Sequence, residues 1–130
     1  MRATSEVADE LYEGVRELSV AVMGRAVPAP ELYGILGNLK FAGGYFLGEL
    51  LGRLADGIER SVDEFEVYED DGGNPVERAA MAASMLEGAA AHAAKVAECL
   101  EAAHSAIARQ GHHGQRAEAS VRGASRQDVA

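Results

Sequence analysis

The sequence contains no tryptophan, and aromatic residues make up only 5% of its 130 positions. Runs of β-branched and aromatic residues with period two are also missing, which excludes a credible strand and leaves an all-α reading. Cysteine occurs once, at Cys99, so no intrachain disulfide is possible and a reducing compartment is expected. Bases are scarce: 12 Lys and Arg against 21 Asp and Glu give a net charge of −9. That balance disfavours direct nucleic-acid binding, which rests on neutralising phosphates, and disfavours an anionic membrane surface. Long apolar runs are lacking too. The stretch Leu32 to Leu54 is broken by Lys40, Glu49 and Arg53, whereas a membrane span needs about 20 apolar residues in succession. The N-terminal segment turns acidic at Glu6 and has no apolar centre of a signal peptide. A cytoplasmic location with no membrane association is the expectation.

What is present is a helical vocabulary, dominated by Ala and Leu. Val7, Leu11, Val15, Leu18 and Val22 recur at steps of three and four and predict helix 1 over about residues 5–26. Glu6, Asp9, Glu10 and Glu13 sit in its first turns, where the macrodipole favours negative charge. Pro28 and Pro30 end it, and Pro30 suits the first position of helix 2 because its missing N–H costs nothing there.

Helix 2 is expected over 30–68, with a stripe of Leu32, Leu36, Leu39, Phe46, Leu50, Leu54, Ile58, Val62 and Phe65. Seven glycines fall inside it, each costing about 1 kcal/mol against Ala. Gly44, Gly48 and Gly52 are spaced by four and lie on one side. This predicts close packing of a neighbouring backbone. The alternative is a break at Gly43-Gly44, which would give four helices in place of three.

Helix 3 is expected over 75–110. Asn74 is a suitable N-cap, Pro75 takes the first position, and Glu77 is placed to reach back to the cap. Asp70-Asp71-Gly72-Gly73 supplies the turn before it. Ala79, Ala80, Ala83, Ala90, Ala94, Ala97 and Ala103 line this helix, with Leu86, Val96, Leu100 and Ile107 as larger anchors. The predicted architecture is an antiparallel hairpin of two long helices plus a shorter N-terminal helix, forming a bundle over 1–110. Residues 111–130 are read as a disordered tail, because they hold almost no large apolar side chain. At about 1.5 Å per residue both long helices would exceed about 50 Å, more than helix 1 can cover. Apolar surface near Phe65 and Tyr68 should therefore remain open, and a homodimer is expected to bury it.

Functional signals are few. Asp56, Glu59, Asp63, Glu64, Glu66, Glu69, Asp70 and Asp71 form an acidic cluster with only Arg60 in the same window. Such density suits a basic protein partner, although long-range charge serves solubility first. The cluster lacks the ligand spacing of an EF-hand. His92, Cys99 and His104 fall short of a zinc ligand set, so no metal and no cofactor are expected; Cys99 is read as a core residue and the histidines as surface groups. No histidine is spaced to activate Ser61, and Tyr33 and Tyr45 read as packing residues, so no catalytic residue is assigned. The expected function is a non-enzymatic interaction, scaffold or adaptor module, with an acidic regulator that imitates DNA toward a nucleic-acid-binding protein as the alternative.

In outline, a small acidic helical hairpin resembles the class of secreted hairpins that turn at a Trp-x-Gly motif. This chain has no Trp and turns at Gly72-Gly73-Asn74. Its Tyr45 and Glu49 match that class's Tyr-xxx-Glu pattern but lie mid-helix, so no property of the class is carried over.

Overall fold

The computed structural model describes residues 2–114 and 116, and among them every regular element is helical. The segments are α1 (Thr4–Val22), α2 (Ala29–Lys40), a π-helical turn (Phe41–Tyr45), α3 (Phe46–Glu64) and α4 (Pro75–Ala106). The fold is therefore all-α. Most of the expected tail lies outside the described residues. Two compact units are present, one containing α1 and the other spanning Pro30–Gly111.

Within the first unit, Glu13 and Arg16 pair at 3.0 Å one turn apart on α1, and Arg2 pairs with Glu10. The helix ends four residues before the expected Ala26. Met23 is already extended, Gly24 takes a positive φ of +72°, and the Arg25 Nε donates to the Ala21 carbonyl at 2.7 Å. Gly24 thus terminates α1 before either proline is reached, since a left-handed residue just past a helix is tolerated best by glycine.

In the second unit, α2, the π turn and α3 form one helical path, and the four-helix alternative is not realised. Lys40 and Phe46, on either side of the turn, both have right-handed helical backbone, and the Phe46 N–H reaches back five residues to the Phe41 carbonyl. The glycine pair is accommodated by widening one turn. Residues Leu36, Lys40, Gly44 and Gly48 follow one another by four, a step that overshoots each turn of a regular α-helix by about 40°. A wide turn takes up that excess, so the residues stay on one side.

The path ends at Glu64, not at Tyr68. Asp63, Glu64 and Glu66 crowd its C-terminus, where the macrodipole disfavours negative charge, and Phe65 is extended at φ −122° and ψ 153°. A loop then leads to Gly72, whose φ of +78° makes the reversal, with its N–H on the Glu69 carbonyl at 3.0 Å. Asn74 Oδ1 accepts from the Val76 and Glu77 N–H groups at 2.9 and 3.2 Å, which starts α4 as expected. Glu77 contributes its backbone N–H to this cap and not its carboxylate. At the far end α4 stops at Ala106, four residues before the expected Gln110, which closes a tighter turn onto Ile107.

The π turn and α3 pack antiparallel to α4. Among the described residues the buried apolar ones are all alanines: Ala55, Ala79, Ala83, Ala93 and Ala97. Small side chains let the backbones approach, but each contributes little transfer energy. Full burial of one leucine would add about 1.5–3 kcal/mol. No large side chain among the described residues is fully buried.

Candidate functional site

Among the glycines of the hairpin's helices, the tightest contact across to the partner helix is at Gly44, the buried glycine of the π turn. A Cβ built there would lie 2.5 Å from the Ala97 Cβ and 2.8 Å from its Cα. Gly48 is next along, where a Cβ would make ordinary contacts with the Ala90 carbonyl at 3.6 Å and the Ala93 Cβ at 3.7 Å. Gly52 is not part of the close packing, because nothing lies within 4 Å of its Cβ position. The notch therefore narrows to Gly44, with Gly48 beside it.

The hairpin register divides its surface in two. Gly44, Gly48, Leu51, Ala55, Ile58 and Val62 recur at steps of three and four as buried or half-buried residues on one helix, and Ala79, Ala83, Leu86, Ala90, Ala93, Ala97 and Leu100 do so on the other. One residue further along a helix is a rotation of about 100°. Because the two helices run in opposite directions, equal rotations carry both rows to the same side of the pair. The residues that follow the packed ones include Glu49, Asp56, Glu59 and Asp63 on α3, and Glu87, Glu98 and Glu101 on α4. The residues that precede them include Leu50 and Leu54 on α3, and Met85, Ala89 and Val96 on α4, and none is a carboxylate. One flank is acidic; the other mixes these apolar residues with Ser61, Arg78 and His92. Sequence periodicity placed Leu50, Leu54 and Phe46 in the core, yet all three are exposed: Leu50 and Leu54 each stand one position before a packed residue, and Phe46 stands two positions from both Gly44 and Gly48, about 200° around the helix.

The acidic cluster splits along the same division. Asp56, Glu59 and Asp63 stand exposed on the acidic flank, and Glu64 and Glu66 are exposed at the end of α3. Glu69 and Asp71 are tied down. The Arg78 guanidinium, on α4, donates to Asp71 Oδ2 at 2.8 Å and to Glu69 Oε2 at 3.4 Å. The Arg78 contact, helped by the Gly73 N–H on Oδ1 at 2.9 Å, holds the Asp71 carboxyl below its ordinary value. Those two acids belong to the turn, and Asp70 beside them remains exposed.

A second polar group lies where α2 meets the last turns of α4, and sequence reading missed it. The Lys40 side chain is only 13% exposed and its Nζ is 2.5 Å from Glu101 Oε2. Glu101 raises the Lys40 pKa, and Lys40 lowers that of Glu101. Next to this pair His104 stacks on Tyr33, with ring centroids 3.7 Å apart, and its Nε2 lies 3.2 Å from the Cβ position of Gly37. His104 is thus half-buried, which corrects the surface assignment. Helical spacing from Ala97 to Glu101 and His104 carried the signal, but only the partner helix reveals its use. Cys99 is exposed, contrary to the core assignment, because it lies two positions past Ala97 and so turns away from α3. His92 is exposed as well.

Among the described residues no group of three or more His, Cys, Asp or Glu converges as a metal site would require. Ser61 Oγ donates to the Ile58 carbonyl at 2.7 Å, an intrahelical bond. No helix among the described residues is long and apolar enough to cross a membrane. No family model, curated protein or solved structure matches the chain.

Proposed function

We propose that the protein is a non-enzymatic interaction module, a scaffold or adaptor whose acidic flank receives a basic segment of another protein. The observation that carries this reading is the segregation of charge. Carboxylates from two antiparallel helices share one side, and the opposite flank has none at the positions that precede the packed residues. Charge spread only for solubility has no reason to avoid one side. A cationic partner gains from such a field mainly in encounter rate and orientation.

The test is titration of a lysine- and arginine-rich peptide against the full chain at low and high salt. Binding that weakens steeply with salt, and weakens further in an Asp56→Lys, Glu59→Lys variant, supports the reading. Equal binding by the variant would sink it.

A regulator that imitates DNA is the second reading, favoured by spacing. Asp56, Glu59, Asp63 and Glu64 span eight residue steps, about 12 Å of helix, or roughly one charge per 3–4 Å. One DNA strand carries about one charge per 3.4 Å. Competition between the protein and duplex DNA for a DNA-binding protein would distinguish it from simple peptide capture.

A further inference from the structure

The loop between α3 and α4 carries a side chain that neither the hairpin packing nor the proposed acidic site uses. Tyr68 is 81% exposed, and its hydroxyl has no hydrogen-bond partner among the described residues. Residues 66–68 form neither helix nor turn, and Phe65 before them is already extended. From Glu64 to Gly72 the chain holds Glu64, Glu66, Glu69, Asp70 and Asp71 and no base. We propose that Tyr68 is a phosphorylation site, the acceptor for a tyrosine kinase that recognises acidic segments.

Three observations single out this hydroxyl. The first is the backbone. A kinase must bring the acceptor oxygen into line with the γ-phosphorus inside a closed cleft, which an open segment can enter and a wound helix cannot. Tyr12 lies in α1, Tyr33 in α2 and Tyr45 in the π turn, so Tyr68 alone among the four tyrosines stands outside a helix. The second is access. Tyr33 is stacked on His104, and Tyr45 lies against Phe41 with ring centroids 5.8 Å apart. Tyr68 has no such ring contact among the described residues. The third is charge. Carboxylates on both sides of Tyr68 make a pattern that a basic substrate cleft selects and an acidic one rejects. Arg78 holds Glu69 and Asp71, which ties the segment just after Tyr68 to α4, while Glu64, Glu66 and Asp70 remain exposed.

In the step itself Tyr68 Oη bonds to the γ-phosphorus of a nucleoside triphosphate, the bond from that phosphorus to the bridging oxygen breaks, and the diphosphate leaves. The phenolic proton passes to the kinase's catalytic aspartate. The product carries about −1.5 to −2 charges at pH 7, placed past the end of the acidic row of α3. The inference does not depend on the acidic flank binding a partner. It does exclude a homodimer that covers Phe65 and Tyr68, because such a contact would bury the acceptor.

The test is incubation of the full chain with Mg-ATP and a tyrosine kinase that phosphorylates a glutamate–tyrosine copolymer, read by intact and fragment mass spectrometry. One added phosphoryl group on the fragment containing Tyr68 is expected. Tyr68→Phe should abolish it with an unchanged circular dichroism signal, since so exposed a ring holds no packing. Tyr12→Phe should leave it unchanged. Glu66→Lys together with Asp70→Lys should slow it several-fold while Tyr68 stays exposed. No phosphoryl group on the chain while the copolymer is consumed would overturn the inference. So would equal labelling of Tyr12, or a rate indifferent to the two lysines. Basic-peptide binding by Tyr68→Phe reads the acidic flank separately, so either proposal can fail alone.

Discussion

Gly44 packs directly on Ala97, with no room for a Cβ on Gly44: one built there would lie 2.8 Å from the Ala97 Cα. Gly44→Ala sets a helix-propensity gain of about 1 kcal/mol against an overpacking cost of about 1–3 kcal/mol, so net destabilisation is expected. Gly52→Ala has open space and should stabilise by up to about 1 kcal/mol. Urea unfolding of the two variants checks the pair of signs. Equal signs would mean that the register described here is wrong.

The Asn74 side chain alone caps α4, receiving two backbone donors. Asn74→Ala is expected to cost about 1 kcal/mol, while Glu77→Ala, whose carboxylate makes no bond to the cap, should cost only a few tenths. The same unfolding measurement separates them.

Asp71 titrates below its ordinary 3.8 because Arg78 and then the Gly73 N–H bind its charged form. A carboxylate depressed in the folded state contributes stability above its unfolded pKa, and that contribution is lost as pH falls through the folded value. Arg78→Gln should therefore lower the melting temperature at pH 7 and converge on the wild type in strong acid. A constant difference across the series would show that Arg78 acts through packing alone.

Lys40 and Glu101 make a two-sided case. The lysine pKa is raised above 10.5 by Glu101, so its share is present below that value and is lost as pH rises through the folded pKa. The Glu101 pKa is lowered from 4.5, so its share is lost in acid. Lys40→Met keeps the apolar stem and removes the charge. Its destabilisation should be greatest near neutral pH and shrink toward both extremes; thermal melts across the range would show a flat difference if the ion pair contributed nothing.

The hairpin was legible in the sequence because its signals are local. Asn74-Pro75 opens α4 through groups within three residues, and Gly72 makes the turn where Asp71-Gly72-Gly73 advertised it. Helix ends were less legible. Gly24 outranked Pro28 and Pro30, and the acidic run at Asp63 to Glu66 stopped α3 before the apolar pattern ran out. The packed row was misread for a different reason. Leucines weigh heavily in any periodicity, so Phe46, Leu50 and Leu54 looked like the core, while the row packed on α4 is Gly44, Gly48, Leu51 and Ala55, whose glycines and alanine carry little weight in such a pattern. Lys40, Tyr33, Glu101 and His104 were invisible as a group, since their contacts join residues far apart in the chain.

The π turn at Phe41–Tyr45 can also be described in terms of chain length. It behaves as an insertion of one residue that the helix absorbs without breaking. Deleting Ala42 would restore a regular helix with Lys40 seven positions before Gly48, within about 20° of the same line, so Lys40 and Tyr33 should keep facing Glu101 and His104. Winding all the present residues as a regular α-helix would instead turn everything before the glycine pair by about 100° relative to α3. The wide turn therefore sets which side of α2 meets the end of α4.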